Sequence, residues 1–322
     1  MRLSNYWWLL IWIFVAAVFV EIVPVTRYEE VLGKKEKRWG IFSAFLLVFP
    51  YLIWAGFRGD VADTYAYRTM FKELPLALSE WMTYLAGLTK DKGFYVLSLM
   101  IKFVVRNNSE FYFLILAAFQ IICIVLVFRK YSCDYWFSIF VFVASTDYIS
   151  WMFNGIRQFT AVTLIFVTTS LLLKKKYVPV IAVILIASTI HGSALLMLPI
   201  ILVLQGKAWN KRTLFSIAIC IIALMFVDQF TDVMDYLLAD TQYTNVVSDW
   251  KAWEDNGTNP IRVFVYSVPT ILAIVGYKWI RDEDDPVINL ATNASIISTG
   301  LYLVSMGTSG IFIGRLPIFV SL

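Results

Sequence analysis

The sequence predicts an all-α protein: a polytopic bundle of transmembrane helices with about 10–12 membrane segments, at roughly 20 apolar residues per full span and some of them short or re-entrant. Three observations carry that prediction. Hydrophobic residues make up 60% of the 322 positions and charged residues only 16%, far from the balance of a soluble globular chain. The apolar residues come in long blocks rather than at amphipathic spacing, and the blocks recur along the whole chain. Lysine and arginine gather in the polar stretches between blocks. Backbone groups inside lipid must be satisfied within their own segment, so each block is expected as a helix.

The blocks cover residues 6–25, 41–57, 94–105, 111–128, 136–148, 158–173, 177–204, 214–230, 263–280, 287–306 and 311–322. The first is longer than the apolar region of a secretory signal, has only Arg2 before it and lacks a small-x-small pattern after it, so a retained span is expected. No soluble domain interrupts the series, and residues 1–322 read as one integral membrane domain. Within it, 58–92 reads as an outer loop carrying a short helix, and 231–262 as a long outer loop or lid. Cys123, Cys133 and Cys220 show neither metal-ligand spacing nor a pairing framework, so neither a disulfide nor a metal site is expected. The net charge of +4 is small and scattered, which gives no basis for a nucleic-acid partner.

Basic loops favour the cytoplasmic side. The clusters are Arg27 with Lys34, Lys35, Lys37 and Arg38; Arg129 with Lys130; Lys174, Lys175 and Lys176; Lys207 with Lys211 and Arg212; and Lys278 with Arg281. Simple alternation of the blocks cannot place them together, but two adjustments can. Block 94–105 is about 18 Å long as a helix and reads as a half-helix that returns to its own side. Block 177–204 is too long for one untilted span and is interrupted by His191-Gly192-Ser193, so it reads as a hairpin of two short helices. Arg58, Asp60, Asp63, Arg157, His191, Asp249, Glu254, Asp255, Arg262 and Arg315 then gather near the outer face, where a site is expected.

Several stretches there hold chemistry. Arg58, Asp60, Asp63 and Tyr65, with Tyr67 nearby, suit a polyhydroxylated ligand, because carboxylates accept bonds from sugar hydroxyls and aromatic faces cover apolar sugar faces. Asn154-Gly155-Ile156-Arg157-Gln158 opens a helix, and the free amides and positive dipole of that start, joined by Arg157, suit a phosphate. His191 titrates near neutrality and is a candidate general base or phosphate ligand. The 231–262 loop alternates carboxylates with Trp250 and Trp253 before Asn259-Pro260-Ile261-Arg262, a composition suited to carbohydrate. Arg315 lies within an apolar block at a cost of about 2.5 kcal/mol or more, so it is expected to face a partner or an anionic ligand.

In order along the chain, Arg-x-Asp-x-x-x-x-Tyr, Asn-x-x-Arg-Gln, His-x-Ser-Ala-Leu, Asn-Pro-x-Arg and a late arginine resemble the EpsG/Wzy-type polysaccharide polymerases. Asn154, Arg157, Gln158, His191, Ser193 and Ala194 carry the resemblance most specifically. It implies a GT-C-type fold and a metal-independent, cofactor-free glycosyltransferase of the bacterial inner membrane. That enzyme would polymerise undecaprenyl-diphosphate-linked oligosaccharide repeat units at the periplasmic face, for O-antigen, capsule or related surface polysaccharide. Membrane lipids and a Wzz-like chain-length regulator are the further partners it implies. In that setting Arg58, Tyr65, Asn154, Arg157, Gln158, Trp253, Arg262 and Arg315 are the candidate substrate-binding residues. His191, Asp60, Asp63 and Asp255 are the candidate catalytic ones. A ligase of the same fold and a repeat-unit flippase are the alternatives, although the midplane polar groups and internal repeats of transporters are not evident.

Overall fold

The computed structural model describes residues 3–22, 26–227, 229, 232, 233, 236 and 257–322. Trp250, Trp253, Glu254, Asp255 and most of the 231–262 stretch lie outside the described residues. Among the described residues there are 16 α-helices, two short 3-10 helices and one two-stranded sheet, an all-α polytopic arrangement. Ser109–Tyr131, Ile156–Leu173 and Pro286–Gly307 are each long and apolar enough to cross a membrane, and two bent helix pairs raise the number to five. Shorter apolar helices accompany them at Tyr6–Phe19, Ile41–Gly56, Tyr177–Ile190 and Gly192–Val203. The chain falls into two compact units, Met1–Gly192 and Ser193–Leu322.

The first unit begins with α1 (Leu3–Ile22) and a hairpin of β1 (Thr26–Val31) and β2 (Lys34–Trp39). The stretch read from the sequence only as a basic loop is therefore a β-hairpin. Its two turn residues, Leu32 and Gly33, have φ of 51° and 84°, as a two-residue type I′ turn requires. Helices α2 (Ile41–Gly56), α3 (Thr64–Glu73), α4 (Leu78–Ala86), α5 (Lys92–Val105) and α6 (Ser109–Tyr131) follow. After them come α7 (Tyr135–Ala144), α8 (Asp147–Asn154), α9 (Ile156–Phe166), α10 (Thr169–Leu173) and α11 (Tyr177–Ile190).

The central column of this unit is α6, about 34 Å long at 1.5 Å per residue, with α2, α5, α7 and α9 packed around it. Its start is fixed by Asn108, whose side chain accepts from the backbone N–H groups of Glu110 and Phe111 at 3.1 and 3.2 Å. Midway, buried Gln120 donates to Thr160 Oγ1 of α9 at 3.0 Å, the kind of interhelical polar contact that membrane bundles use. At its far end, Arg129 grips both carboxylate oxygens of Glu29 at 2.7 and 2.9 Å and the Trp39 carbonyl at 2.7 Å. Arg38 reaches back to the Ser132 carbonyl, and Tyr131 meets Ser170 at 2.5 Å. The hairpin cluster, the Arg129–Lys130 pair and the lysines that follow α10 thus share one end of the unit.

The second unit contains α12 (Met197–Val203), α13 (Lys211–Met225), α14 (Pro260–Val275), α15 (Tyr277–Glu283), α16 (Pro286–Gly307) and a 3-10 helix, Ile313–Phe319. The axis here is α16, about 33 Å long, with α13, α14 and the 3-10 helix against it. Asp285 caps it and Pro286 occupies its first turn. Fully buried Asn293 accepts from Thr213 Oγ1 of α13 at 2.9 Å, and Thr270 meets Thr299 at 2.8 Å. Lys207 pairs with Asp284, and the Ala208 N–H donates to Asn289 at 2.7 Å. The Lys207, Lys211 and Arg281 clusters therefore collect at the start of α16.

Candidate functional site

At the α6 start, away from the hairpin, the first unit assembles a network of arginines and carboxylates. Arg58 follows α2, and only 5% of it is exposed. Its guanidinium lies 4.3 Å from the Phe113 ring centroid and 5.0 Å from that of Phe153, and it donates through Nη1 to the Met152 carbonyl of α8. Arg58 is thus turned inward, holding the end of α8. Burial pushes its guanidinium down to about 10, which still leaves it charged at neutral pH.

Arg68 of α3 donates through Nε to Asp60 at 2.9 Å and through Nη1 to Ser109 Oγ at 2.8 Å and to Glu110. Burial alone lowers its proton affinity, but the bonds to Glu110 and Asp60 outweigh this and raise it. Asp60, read as a candidate base, is therefore engaged by a neighbouring cation. Asp63 and Tyr65 stand exposed at the start of α3. The 58–92 segment carries two helices, α3 and α4. The C-terminal carbonyls of α3, those of Phe71 and Lys72, are taken by buried Lys102 of α5 at 2.8 and 2.7 Å.

Arg157 occupies the first turn of α9. Its Nη1 donates to Asp91 Oδ2 at 2.8 Å and its Nε to the Tyr67 hydroxyl at 3.3 Å, with the Tyr67 ring centroid 5.7 Å away. The preceding Gly155 is needed for packing, since a Cβ there would lie 2.4 Å from Trp151 Cε3. Asn154 is exposed and bonded to Ser150 Oγ at 3.0 Å, whereas Gln158 is buried. The break read from His191-Gly192-Ser193 is present: α11 ends at Ile190, and His191 is extended at φ −154° and ψ 119°, its N–H on the Ala187 carbonyl at 2.9 Å. A Cβ on Gly93 would lie 2.0 Å from Thr189 Oγ1, so the first turn of α5 touches the last turn of α11. This contact puts His191 at the same end of the unit as Asp91 and Arg157.

The second unit makes its own cluster at the end of α16. The Thr258 N–H donates to the Ser305 carbonyl at 3.0 Å, and Ser305 Oγ donates to Thr258 Oγ1 at 2.7 Å. Gly257, at φ +77°, leaves no room for a Cβ, which would lie 2.5 Å from the Met306 carbonyl oxygen. A Cβ on Gly314 would lie 2.6 Å from Thr258 Oγ1, so the residue before Arg315 packs on the segment that precedes α14. Asn259 caps α14 through the Ile261 N–H at 2.8 Å, with Pro260 at the first helical position. Arg262, one turn in, donates to the Tyr266 hydroxyl at 3.3 Å and lies 5.3 Å from the centroid of that ring. Arg262 and Arg315 are both exposed, and both lie at the end of the unit away from Lys207, Lys211 and Lys278. Arg315 stands on the 3-10 helix rather than inside a long apolar helix.

Sequence reasoning missed Asp91, Arg68 and Glu110. Lys90-Asp91-Lys92-Gly93 carries one faint signal, an acid at the head of an apolar helix with a glycine two residues on. Among the described residues no three His, Cys, Asp or Glu side chains gather as metal ligands do.

Long apolar helices and the absence of any extensive sheet among the described residues define a polytopic α-helical membrane protein. Residues 41–322 match the EpsG family model, and the chain belongs to the EpsG family. That membership supports a Wzy-like polysaccharide polymerase in general terms. No curated protein and no solved structure matches the chain.

Proposed function

We propose that the protein is an inner-membrane glycosyltransferase that polymerises undecaprenyl-diphosphate-linked repeat units at the periplasmic face. The observation that carries this reading is Arg157, fixed in the first turn of α9 by Asp91 and Tyr67 and separated by the length of that helix from the lysines that follow α10, in a chain of the EpsG family. In each unit the strongest basic clusters gather away from the motif arginines, and the preference of basic loops for the cytoplasm supports a periplasmic side for those arginines, with Lys90 and Lys92 beside Asp91 as the exception in the first unit.

The reaction breaks the anomeric bond to a lipid diphosphate and forms a glycosidic bond to an acceptor hydroxyl. The departing diphosphate gathers negative charge, and the residues proposed to supply fixed positive charge are the motif arginines, Arg157 in the first unit and Arg262 and Arg315 in the second, each assigned from its place in its own unit. The acceptor hydroxyl loses its proton to a base. Among the described candidates for that role, Asp60 is bonded to Arg68, Asp63 stands exposed at the head of α3 and His191 lies at the broken end of α11. Tyr65 and Asn154 are exposed at the same end and serve as sugar contacts, while Arg58 supports α8 from within.

The test is polymer-ladder analysis in a deletion strain complemented with wild type, Arg157→Ala, Arg262→Ala or Arg315→Ala. The reading expects single repeat units still transferred to their acceptor, with chain extension lost in the deletion and in each variant at normal expression. Loss of all attachment in the deletion points instead to the ligase, and wild-type chain length in all three variants refutes the diphosphate role.

A further inference from the structure

We propose that Asp91 is the positioning residue for Arg157, and that with Tyr67 it orients the guanidinium that receives the lipid diphosphate; the inference rests on the polymerase reading above. The carboxylate and the guanidinium come from segments 66 residues apart in sequence, yet they meet at 2.8 Å. Asp91 is not a solvated surface acid. Its side chain is 7% exposed against 29% for that of Arg157, and its second oxygen, Oδ1, is buried without a hydrogen-bond partner among the described residues.

A desolvated carboxylate with one cationic partner interacts far more strongly than an exposed pair, and removing its charge leaves the partner free to turn. The backbone holds Asp91 in place at some cost. Its φ is +54°, unusual for a residue other than glycine, and its carbonyl accepts from the Phe94 N–H at 2.9 Å. Gly93, pressed on Thr189, then locks this turn against α11.

The consequence for Arg157 is geometric. Two of its three guanidinium nitrogens are committed, Nη1 to Asp91 and Nε to Tyr67, and this fixes the plane of the planar fork. The Arg157 side chain remains 29% exposed, which leaves part of it open to a ligand. Asp91 does not touch the diphosphate in this account and acts only through Arg157. The cluster also ties three elements together, α3 through Tyr67, α5 through Asp91 and α9 through Arg157.

The experiment is equilibrium binding of radiolabelled undecaprenyl diphosphate to the full chain in detergent, for wild type, Asp91→Asn, Asp91→Glu, Arg157→Ala and the Asp91→Asn/Arg157→Ala double variant. Asp91→Asn, almost the same size, is expected to weaken binding about tenfold, and Asp91→Glu to recover most of that loss. The double variant is expected to bind no more weakly than Arg157→Ala, because a residue that works only through another adds nothing once that other is gone. Tyr67→Phe, a milder change, is expected to weaken binding about threefold and stands in if Asp91→Asn fails to accumulate. Wild-type affinity in Asp91→Asn with affinity lost in Arg157→Ala overturns the inference and leaves the polymerase reading intact, as does full additivity in the double variant. Wild-type affinity in Arg157→Ala removes both.

Discussion

Arg58, Arg68 and Arg157 lie at one end of the same unit, and their surroundings give them different parts. Arg58 is sandwiched between Phe113 and Phe153 and holds the Met152 carbonyl, so Arg58→Ala leaves a cavity and an unpaired carbonyl. We expect that change to destabilise the protein by about 2 kcal/mol, seen as a lowered thermal midpoint in detergent. Gly93 has the opposite sensitivity. Gly93→Ala puts a methyl group 2.8 Å from the Thr189 carbonyl carbon, and separating the two helices is expected to cost about 2 kcal/mol and to lower polymer length with it. Both effects were illegible in the sequence. A string of residues shows that an arginine follows an apolar block but not that it turns back beneath a helix. Nor does it show that an aspartate in a lysine-flanked loop meets an arginine 66 positions later.

Elements were more legible where lipid dictates them. The apolar blocks 111–128 and 287–306 became α6 and α16, because a run of that length must close its hydrogen bonds as a helix. The interruption at His191 is also present, since the Gly-Ser pair that follows ends the helical ladder there. The β-hairpin was missed. Its strands, Thr26–Val31 and Lys34–Trp39, carry no apolar alternation, so their lysines and arginines read only as topology signals. The Glu29–Arg129 pair joins this hairpin to α6 and carries a pH signature. The hydrogen bond from Arg129 holds the Glu29 carboxyl below its usual range. A carboxyl depressed on folding stabilises fully above its unfolded value of about 4.3, and the contribution fades as pH falls through the lower folded value. Thermal midpoints of wild type and Glu29→Gln are therefore expected to differ at pH 7 and to converge in acid. At the other end of α6, Asn108→Ala removes the cap and is expected to cost about 1 kcal/mol by the same measurement, since two backbone N–H groups lose their acceptor.

At the scale of the whole molecule, the sorting of charge along the helices organises the account. In the first unit α6 separates Arg129 and the hairpin from Asp60, Arg68, Asp91 and Arg157. In the second, α16 separates Lys207 and Asp284 from Thr258, Arg262 and Arg315. This sorting was legible in the sequence, because basic loops and motif residues alternate along the chain with apolar blocks between them. The route from one end to the other was less so. It required block 94–105 to be treated as short, and α5 is a single 14-residue helix.

Cys133 and Tyr65 mark the two ends of the first unit, both of them exposed. The direct test is labelling of intact spheroplasts with a membrane-impermeant maleimide, using chains in which Cys123 and Cys220 are replaced by alanine. Native Cys133, at the basic end, should react only after the membrane is permeabilised, whereas Tyr65→Cys in a Cys133→Ser background should react at once. Labelling of both positions from the same side, or of Cys133 alone from outside, would contradict a periplasmic site opposite a cytoplasmic basic face.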